Sequence, residues 1–332
     1  MVGLARRRGV ARIRAIVCCL VGVVIFGLSA AALVMIGLTA AARFWSWVSG
    51  SAFVDSPVWS WAPGGAGALG ALAVLVSIIG TFWYFWWGAS PQVLREVAAH
   101  PLSPDAGRVV RNVVEELSIG LGRTPPAIFL TDDPVPNALS LRSRRGRSIV
   151  LTSACNDLPR DEIEALCAHE FGHLWADDAH WVTSGMVALA RARRFGAAIS
   201  TVGAVLLALV FLLGYHTEIY LWSAGVTAVA LVVLGWVSTH SLRRLECRVR
   251  ADADDIADVA AIELARNPQS LGAVCARLAA NPGVVSPVGW RSELLWFEAT
   301  TGADELVTRS VTAYATARVP LPPEVAALVD DR

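Results

Sequence analysis

The sequence predicts a mainly α-helical, polytopic membrane protein with four transmembrane helices and a cytoplasmic α+β domain. Of its 332 residues, 55% are apolar, and the mean hydropathy of +0.52 is higher than that of an ordinary soluble protein. Four apolar runs lack charged residues and are long enough to cross a bilayer. The remaining segments have the charge and proline content of a folded domain outside the membrane.

The first two predicted spans form an N-terminal hairpin within residues 1–89. Five arginines precede the first span, at about residues 15–42, and this span is longer than the apolar core of a cleaved signal peptide, the alternative interpretation. The second span covers about residues 66–88. Aromatic residues flank both spans, where they are expected to anchor the chain at the membrane–water interface unless they pack in a core. They include Trp45, Trp47, Trp59, Trp61, Trp83, Trp86 and Trp87.

Residues 90–194 form the first part of the predicted extramembrane domain. The segment SPDAGRVVRNVVEELSIGLG is an amphipathic helix that ends at Gly120 or Gly122. PPAIFLTDD and RSIVLTSA are short strands bounded by turn formers, with PVPNALSLRSRRG a strand and turn between them. A second helix is predicted from near Pro159 to near Ala176, because acidic side chains favour the N-terminal end of a helix dipole. Its early acids are Asp161, Glu162 and Glu164, and its apolar stripe is Ile163, Leu166, Cys167 and Phe171.

This second helix carries the sequence His169-Glu170-Phe171-Gly172-His173. Residues four apart share a helix face, so both imidazoles can bind one metal ion with Glu170 beside them. Zinc in catalytic sites takes three protein ligands and a water, and Glu170 is the expected general base for that water. The alternative is that the motif arises by chance on an ordinary amphipathic helix. The chain has only six histidines, so a chance match is disfavoured.

A second hairpin is predicted within residues 195–240. Two uncharged runs, at roughly 197–213 and 220–239, are joined only by GYHTEI, a link short enough for antiparallel spans. A buried hairpin of a soluble protein is the alternative. Arginines cluster before the first span, before the third and after the fourth. The positive-inside rule therefore predicts a multi-pass protein of the plasma membrane with both termini and the motif-bearing domain in the cytoplasm.

Residues 241–332 form the second part of the domain and are expected to supply the third metal ligand. Their first segment is a long helical stretch rich in acids, and zinc chemistry alone does not choose among them. Asp254 and Asp258 are four residues apart, so one can bind metal while the other orients a ligating histidine. Each acid can instead lie on a solvated helix face. The candidates are Glu246, Asp252, Asp254, Asp255 and Asp258.

Composition excludes some classes of partner. The formal net charge is zero, so no global basic field favours binding of nucleic acid. The six cysteines contain neither a C-x-x-C pair nor a disulfide-like framework, which fits a reducing compartment.

Together these segments resemble the HtpX-type membrane zinc metalloproteases, with the CAAX prenyl proteases as more distant relatives. The resemblance covers about residues 101–278, and its most specific parts are the PNA sequence at 136–138 and HEFGH. It implies a zincin-like domain that cleaves membrane or misfolded proteins at the cytoplasmic face, with zinc as cofactor. The expected partners are protein or peptide substrates and the lipid bilayer, and no oligomeric state is predicted.

The resemblance also implies which acid binds zinc. In the family, the ligand Glu is followed by two residues of any type and then by Ala-Asp. An Asn-Pro or Asp-Pro pair comes further on in the chain. Aligning Ala257-Asp258 and Asn267-Pro268 on that pattern puts Asp254 in the ligand position, with Glu246 as the alternative. Asp258 would then orient a histidine, and Asp178 is assigned a similar supporting role.

Two residues depart from the family pattern. Asp254 is one methylene shorter than the family's Glu, so either its helix lies closer to the zinc, or Glu246 substitutes, or the site is impaired. In the C-terminal VPLPPEVAAL, Leu321 stands where the family has His.

The resulting hypothesis is a zinc endopeptidase in which Glu170 activates the zinc-bound water. A strand near Asn137–Leu141, including Ala138 and Leu139, is expected to bind an extended substrate through its backbone. The rival hypothesis is a catalytically weak zinc-binding membrane sensor or scaffold. A small-molecule transporter is disfavoured because the charged residues lie outside the spans.

Overall fold

The computed structural model describes scattered residues before position 89 and six continuous segments after it: 89–103, 107–143, 146–175, 179–213, 221–280 and 303–330. The first two predicted spans, with most of their flanking tryptophans, therefore lie largely outside the described residues and stay predictions.

The chain divides into two compact units. One contains residues 1–16, 85–187 and 247–332, and the other contains residues 17–84 and 188–246. The four-part domain organisation predicted from the sequence is not tested by this division and stays a prediction.

The first unit contains a small mixed sheet. Its strands are β1 (His100–Pro101), β2 (Ala127–Thr131), β3 (Ala138–Ser143) and β4 (Gly146–Thr152). They lie in the order β1-β2-β4-β3, with β2 parallel to β4 and the outer strands antiparallel to their neighbours. Strands β2, β3 and β4 lie in the segments where the sequence predicts strands, whereas the two-residue strand β1 is not predicted. Among the described residues, β3 forms one edge of the sheet.

Eight helices are described, and the mainly helical class is confirmed. They are α1 (Ala89–Glu96), α2 (Arg108–Gly120), α3 (Arg160–Trp175), α4 (Ala179–Leu213), α5 (Leu221–Leu264), α6 (Ser270–Ala280), α7 (Ala303–Ala317) and α8 (Pro323–Asp330). Helix α2 ends at Gly120 as predicted, and Gly122 follows with a φ of 61°, a left-handed conformation that favours glycine. Helix α3 matches the predicted motif helix within a residue at each end.

Helix α3 lies at the centre of the first unit. Its sequence indicates an apolar stripe on one face, but every residue from 162 to 174 is buried. The reason is that α2, α6 and β3 all pack against it. A polar group on this helix therefore needs an internal partner or a function, because an unpaired buried polar group costs free energy.

The early acids of α3 have such partners. Glu162 accepts two hydrogen bonds of 2.7 Å from Arg277 of α6, and Glu164 accepts one of 2.8 Å from the backbone N–H of Arg266. These acids therefore fix α3 against the segment that follows α5, in addition to favouring the helix dipole.

The second unit contains most of the two long apolar helices. The stretches Gly185–Leu212 and Gly225–Leu264 are long and apolar enough to cross a membrane. They pack closely at small residues: a Cβ at Gly203 would lie 2.7 Å from the backbone nitrogen of Val232. Small residues allow this kind of approach between membrane helices. Their outward apolar side chains suit contact with lipid, and they include Val202, Leu209, Phe211, Leu212, Val229 and Trp236.

Helix α5 extends well beyond its uncharged part, which ends near Thr239. It runs without interruption for 44 residues from Leu221 to Leu264, so the predicted fourth span and the acidic segment are one helix. The helical period and the packing of neighbouring elements therefore decide towards which side an acidic side chain of this helix points.

Candidate metal centre

Helix α3 brings the two motif histidines together. The Nε2 atoms of His169 and His173 lie 3.2 Å apart, and the two side chains are buried, as is Glu170 between them. Two ligands bound to a tetrahedral zinc ion at about 2.1 Å lie about 3.4 Å from one another. The separation of the imidazole nitrogens therefore fits a shared metal ion.

Asp254 of α5 completes a group of three donors. Its Oδ1 lies 3.6 Å from Nε2 of His173, and one ligand atom from each of His169, His173 and Asp254 falls within 4.8 Å of the others. Two imidazoles and one carboxylate with a fourth position left for water make up a set that catalytic zinc uses. The chemistry of the donor set thus fits zinc, and two of its separations, 3.2 Å between the imidazole nitrogens and 3.6 Å from His173 to Asp254, are close to those around a tetrahedral ion.

Glu170 is placed to act on a water at this group. It is 1% exposed, and its Oε2 has no hydrogen-bond partner among the residues that the structure describes. An unpaired buried carboxylate oxygen is costly. Its position between the two histidines would give it a use if they hold a metal ion, because a carboxylate can accept a proton from a metal-bound water.

Asp258 orients His169. Its Oδ1 lies 2.8 Å from Nδ1 of the imidazole, and both side chains are almost completely buried. A carboxylate at Nδ1 fixes the tautomer and leaves Nε2 free to bind metal. The supporting role expected for Asp258 agrees with this contact, whereas Asp178 lies outside the described residues.

Arg309 of α7 binds both aspartates, and the sequence reasoning did not identify it. Its Nη2 donates to Oδ1 of Asp258 at 2.7 Å and its Nη1 to Oδ2 of Asp254 at 3.1 Å, while its Nε also donates to Asp258. Arg250 adds a contact of 3.0 Å to Oδ2 of Asp254. Arg250 precedes Asp254 by four residues on one helix, and this spacing could have predicted their contact from the sequence. No spacing rule predicts the contact with Arg309.

The two arginines keep the aspartates ionised. Burial raises the pKa of each carboxyl, but for Asp258 the charge and hydrogen bonds of Arg309, together with the contact to His169, outweigh burial and lower the pKa below its ordinary value. For Asp254 the charges of Arg309 and Arg250 together lower the pKa well below that value. Asp254 is therefore a negatively charged oxygen donor at neutral pH.

The other candidate acids lie elsewhere. The carboxylate of Glu246 is buried beside Arg193, at 3.3 Å, and it is not part of the three-donor group. Asp252 is partly exposed and Asp255 is exposed, and neither belongs to that group. Burial and the charges of Asp258 and Asp254 raise the pKa of Asp255.

The strand expected to bind substrate is held rigidly. The backbone N–H of Asn137 donates to Thr152 Oγ1 at 2.8 Å, and the side-chain oxygen of Asn137 accepts from the N–H of Ala138 at 2.9 Å. Asn137, Ala138 and Leu139 are all buried. Their side chains therefore pack inside the domain, so any contact with substrate falls to the β3 backbone.

A buried His-His-carboxylate group with a neighbouring glutamate, on a helix that packs against a small mixed sheet, defines a metallopeptidase domain of the HExxH class. The chain belongs to peptidase family M48, whose family model matches residues 104–276. More than half of the chain thus carries the family pattern, and the matched range includes the segment with Asp254.

Curated relatives are named as HtpX proteases. The HtpX homologue of Dictyoglomus turgidum is 23% identical over 228 residues, which cover 65% of this chain and 68% of the relative. HtpX homologue 1 of Saccharolobus solfataricus is 36% identical over 100 residues, which cover 28% and 31% of the two chains. The HtpX homologue of Dictyoglomus thermophilum is 24% identical over 180 residues, covering 51% and 54%. The resemblance to HtpX-type proteases is confirmed, while no solved structure matches the chain significantly.

Proposed function

We propose that this protein is a zinc-dependent membrane endopeptidase that hydrolyses peptide bonds of membrane or misfolded proteins at the cytoplasmic face. One observation carries the proposal: three donor side chains, His169, His173 and Asp254, converge at the helix turn that also carries Glu170, whose buried Oε2 has no hydrogen-bond partner among the described residues. Membership of a peptidase family agrees with it, as do the two apolar helices.

Each residue of the centre has a distinct role in this proposal. His169, His173 and Asp254 hold the zinc, and Asp258 keeps His169 in the tautomer that presents Nε2. A zinc ion held by these residues would supply Lewis-acid chemistry, polarising the scissile carbonyl and making a bound water more acidic. Glu170 takes the proton of that water and can pass it to the departing amine.

The substrate is proposed to bind as an additional strand. The β3 edge offers backbone groups in extended conformation, and the side chains of its residues 138–141 are buried. Recognition through backbone hydrogen bonds tolerates many sequences. Such tolerance suits a protease that acts on misfolded chains.

The rival function, a catalytically weak zinc-binding sensor or scaffold, fits the structure less well. A scaffold needs the three metal ligands but gains nothing from Glu170. The buried carboxylate oxygen without a hydrogen-bond partner costs free energy that only a chemical role explains.

The purified protein is expected to bind about one zinc ion per chain and to cleave an unfolded substrate such as casein. His173→Ala removes one of three protein ligands, so both zinc and activity should be lost. Metal analysis and casein cleavage measure the two effects. His240→Ala is the matched control, because His240 is exposed and lies outside the donor group. A full zinc complement in His173→Ala contradicts the assignment.

The orientation in the membrane is tested by cysteine labelling in intact cells. In a background without native cysteines, Ser56→Cys should react with an impermeant reagent from outside, because it lies in the predicted outer loop. Asp157→Cys, at an exposed position of the metal-bearing unit, should react only after lysis. The reverse labelling pattern refutes the proposed orientation.

A further inference from the structure

Asp254 has a short side chain for a residue that must reach a metal held by another helix. Glutamate has one more methylene, a difference in reach of roughly 1.5 Å. We propose that Gly172 is a positioning residue, which allows α3 and α5 to approach closely enough for the shorter Asp254 to bind the metal. This inference depends on the metal centre proposed above.

The contact at Gly172 leaves no room for a side chain. A Cβ at this position would lie 2.8 Å from Cα of Ala257, 3.1 Å from the carbonyl oxygen of Ala257 and 3.1 Å from Cβ of Ala260. Backbone atoms cannot move aside as a flexible side chain does. A methyl group at Gly172 therefore has to push the two helices apart.

The helix that faces Gly172 is also lined by small residues. Ala253, Ala257, Ala260 and Ala261 are all buried on α5. Glycine is unfavourable in a helix interior relative to alanine, because it loses more backbone entropy. The presence of a glycine in the middle of α3 is therefore explained by the close contact with α5 and not by the stability of the helix itself.

The contact lies within the metal centre itself. Gly172 immediately precedes His173, and Ala257 lies one turn after Asp254 and immediately before Asp258. If the helices separate at this point, both aspartates move away from the histidines by nearly the same distance.

Asp254 cannot compensate for such a movement by reorienting. Its Oδ2 is held by Arg309 at 3.1 Å and by Arg250 at 3.0 Å, and Oδ1 faces His173. The carboxylate is fixed by these contacts, so the reach of Asp254 depends on the distance between the two helix backbones.

Four proteins test the inference: wild type, Gly172→Ala, Asp254→Glu and the double variant. Gly172→Ala should weaken zinc binding by about tenfold or more, because the carboxylate is withdrawn, and Asp254→Glu should also weaken it, because the added methylene crowds the metal. In the double variant the longer side chain spans the wider gap, so zinc affinity should return to within a few-fold of wild type. Zinc affinity is measured by chelator competition, and circular dichroism checks folding of the metal-free proteins.

Gly203→Ala is the control for helix packing in general. A Cβ there meets backbone atoms of α5 as tightly as at Gly172, at 2.7 and 2.8 Å, but the contacted residues, Ala228 and Val232, lie more than twenty positions before Asp254. This variant should bind zinc like wild type.

The outcomes separate the two proposals. A wild type that binds no zinc refutes the proposed function. If the wild type binds zinc but the double variant binds it more weakly than either single variant, the role of Gly172 is overturned and the proposed function is not affected. If Gly172→Ala fails to fold, the same cycle with Ala260→Ser enlarges the contact from the α5 side, and absence of rescue by Asp254→Glu again overturns the inference.

Discussion

Replacing Glu170 with glutamine is expected to lower the rate of peptide hydrolysis by two to four orders of magnitude while zinc stays bound. Glutamine keeps the shape of the side chain but cannot accept the proton of the attacking water, and general-base catalysis contributes about that factor. The unpaired, buried Oε2 of Glu170 is the group whose loss the experiment measures. Turnover of casein and zinc content per chain give the two readouts.

Asp161→Asn is the matched control for Glu170→Gln, because it makes the same change at an exposed position of the same helix. Wild-type turnover in Glu170→Gln would mean that another group acts as the base. Loss of zinc from this variant would mean that Glu170 helps to hold the metal.

Replacing Arg309 with methionine is expected to lower the free energy of unfolding of the metal-free protein by about 3 to 5 kcal/mol, because it leaves Asp254 and Asp258 buried without their shared cation. The side chains of all three residues are at most 11% exposed, so solvent screens these charges little. Denaturant unfolding in detergent measures the loss. Excess zinc should restore more stability to this variant than to wild type, since a bound cation offsets the charge of Asp254.

Arg266→Met serves as the control for Arg309→Met. Arg266 also pairs with a carboxylate, Glu116, at 2.7 Å, but the two side chains are 65% and 39% exposed. An exposed pair contributes at most about 1 kcal/mol. Equal stability of the Arg309 and Arg266 variants would show that Arg309 does not hold the two aspartates in the folded protein.

The sequence by itself determined several elements of this protein and half of its candidate metal centre. The spacing of His169 and His173 placed both imidazoles on one face of α3, because neighbours within a helix follow from its period. Aliphatic and β-branched runs located β2, β3 and β4, and the uncharged runs located the two described apolar helices. The spans before residue 89 and the orientation in the membrane stay predictions.

Only the tertiary structure decided which acid of α5 faces the histidines and what holds it. Five acids of this segment were chemically equivalent as ligands, and the family resemblance favoured Asp254 by register alone. Its proximity to His173 follows from the packing of α3 on α5, at the contact of Gly172 with Ala257. Arg309 joins the centre from 51 residues beyond Asp258. Local periodicity cannot specify such contacts, because they depend on which faces of separate elements are buried together.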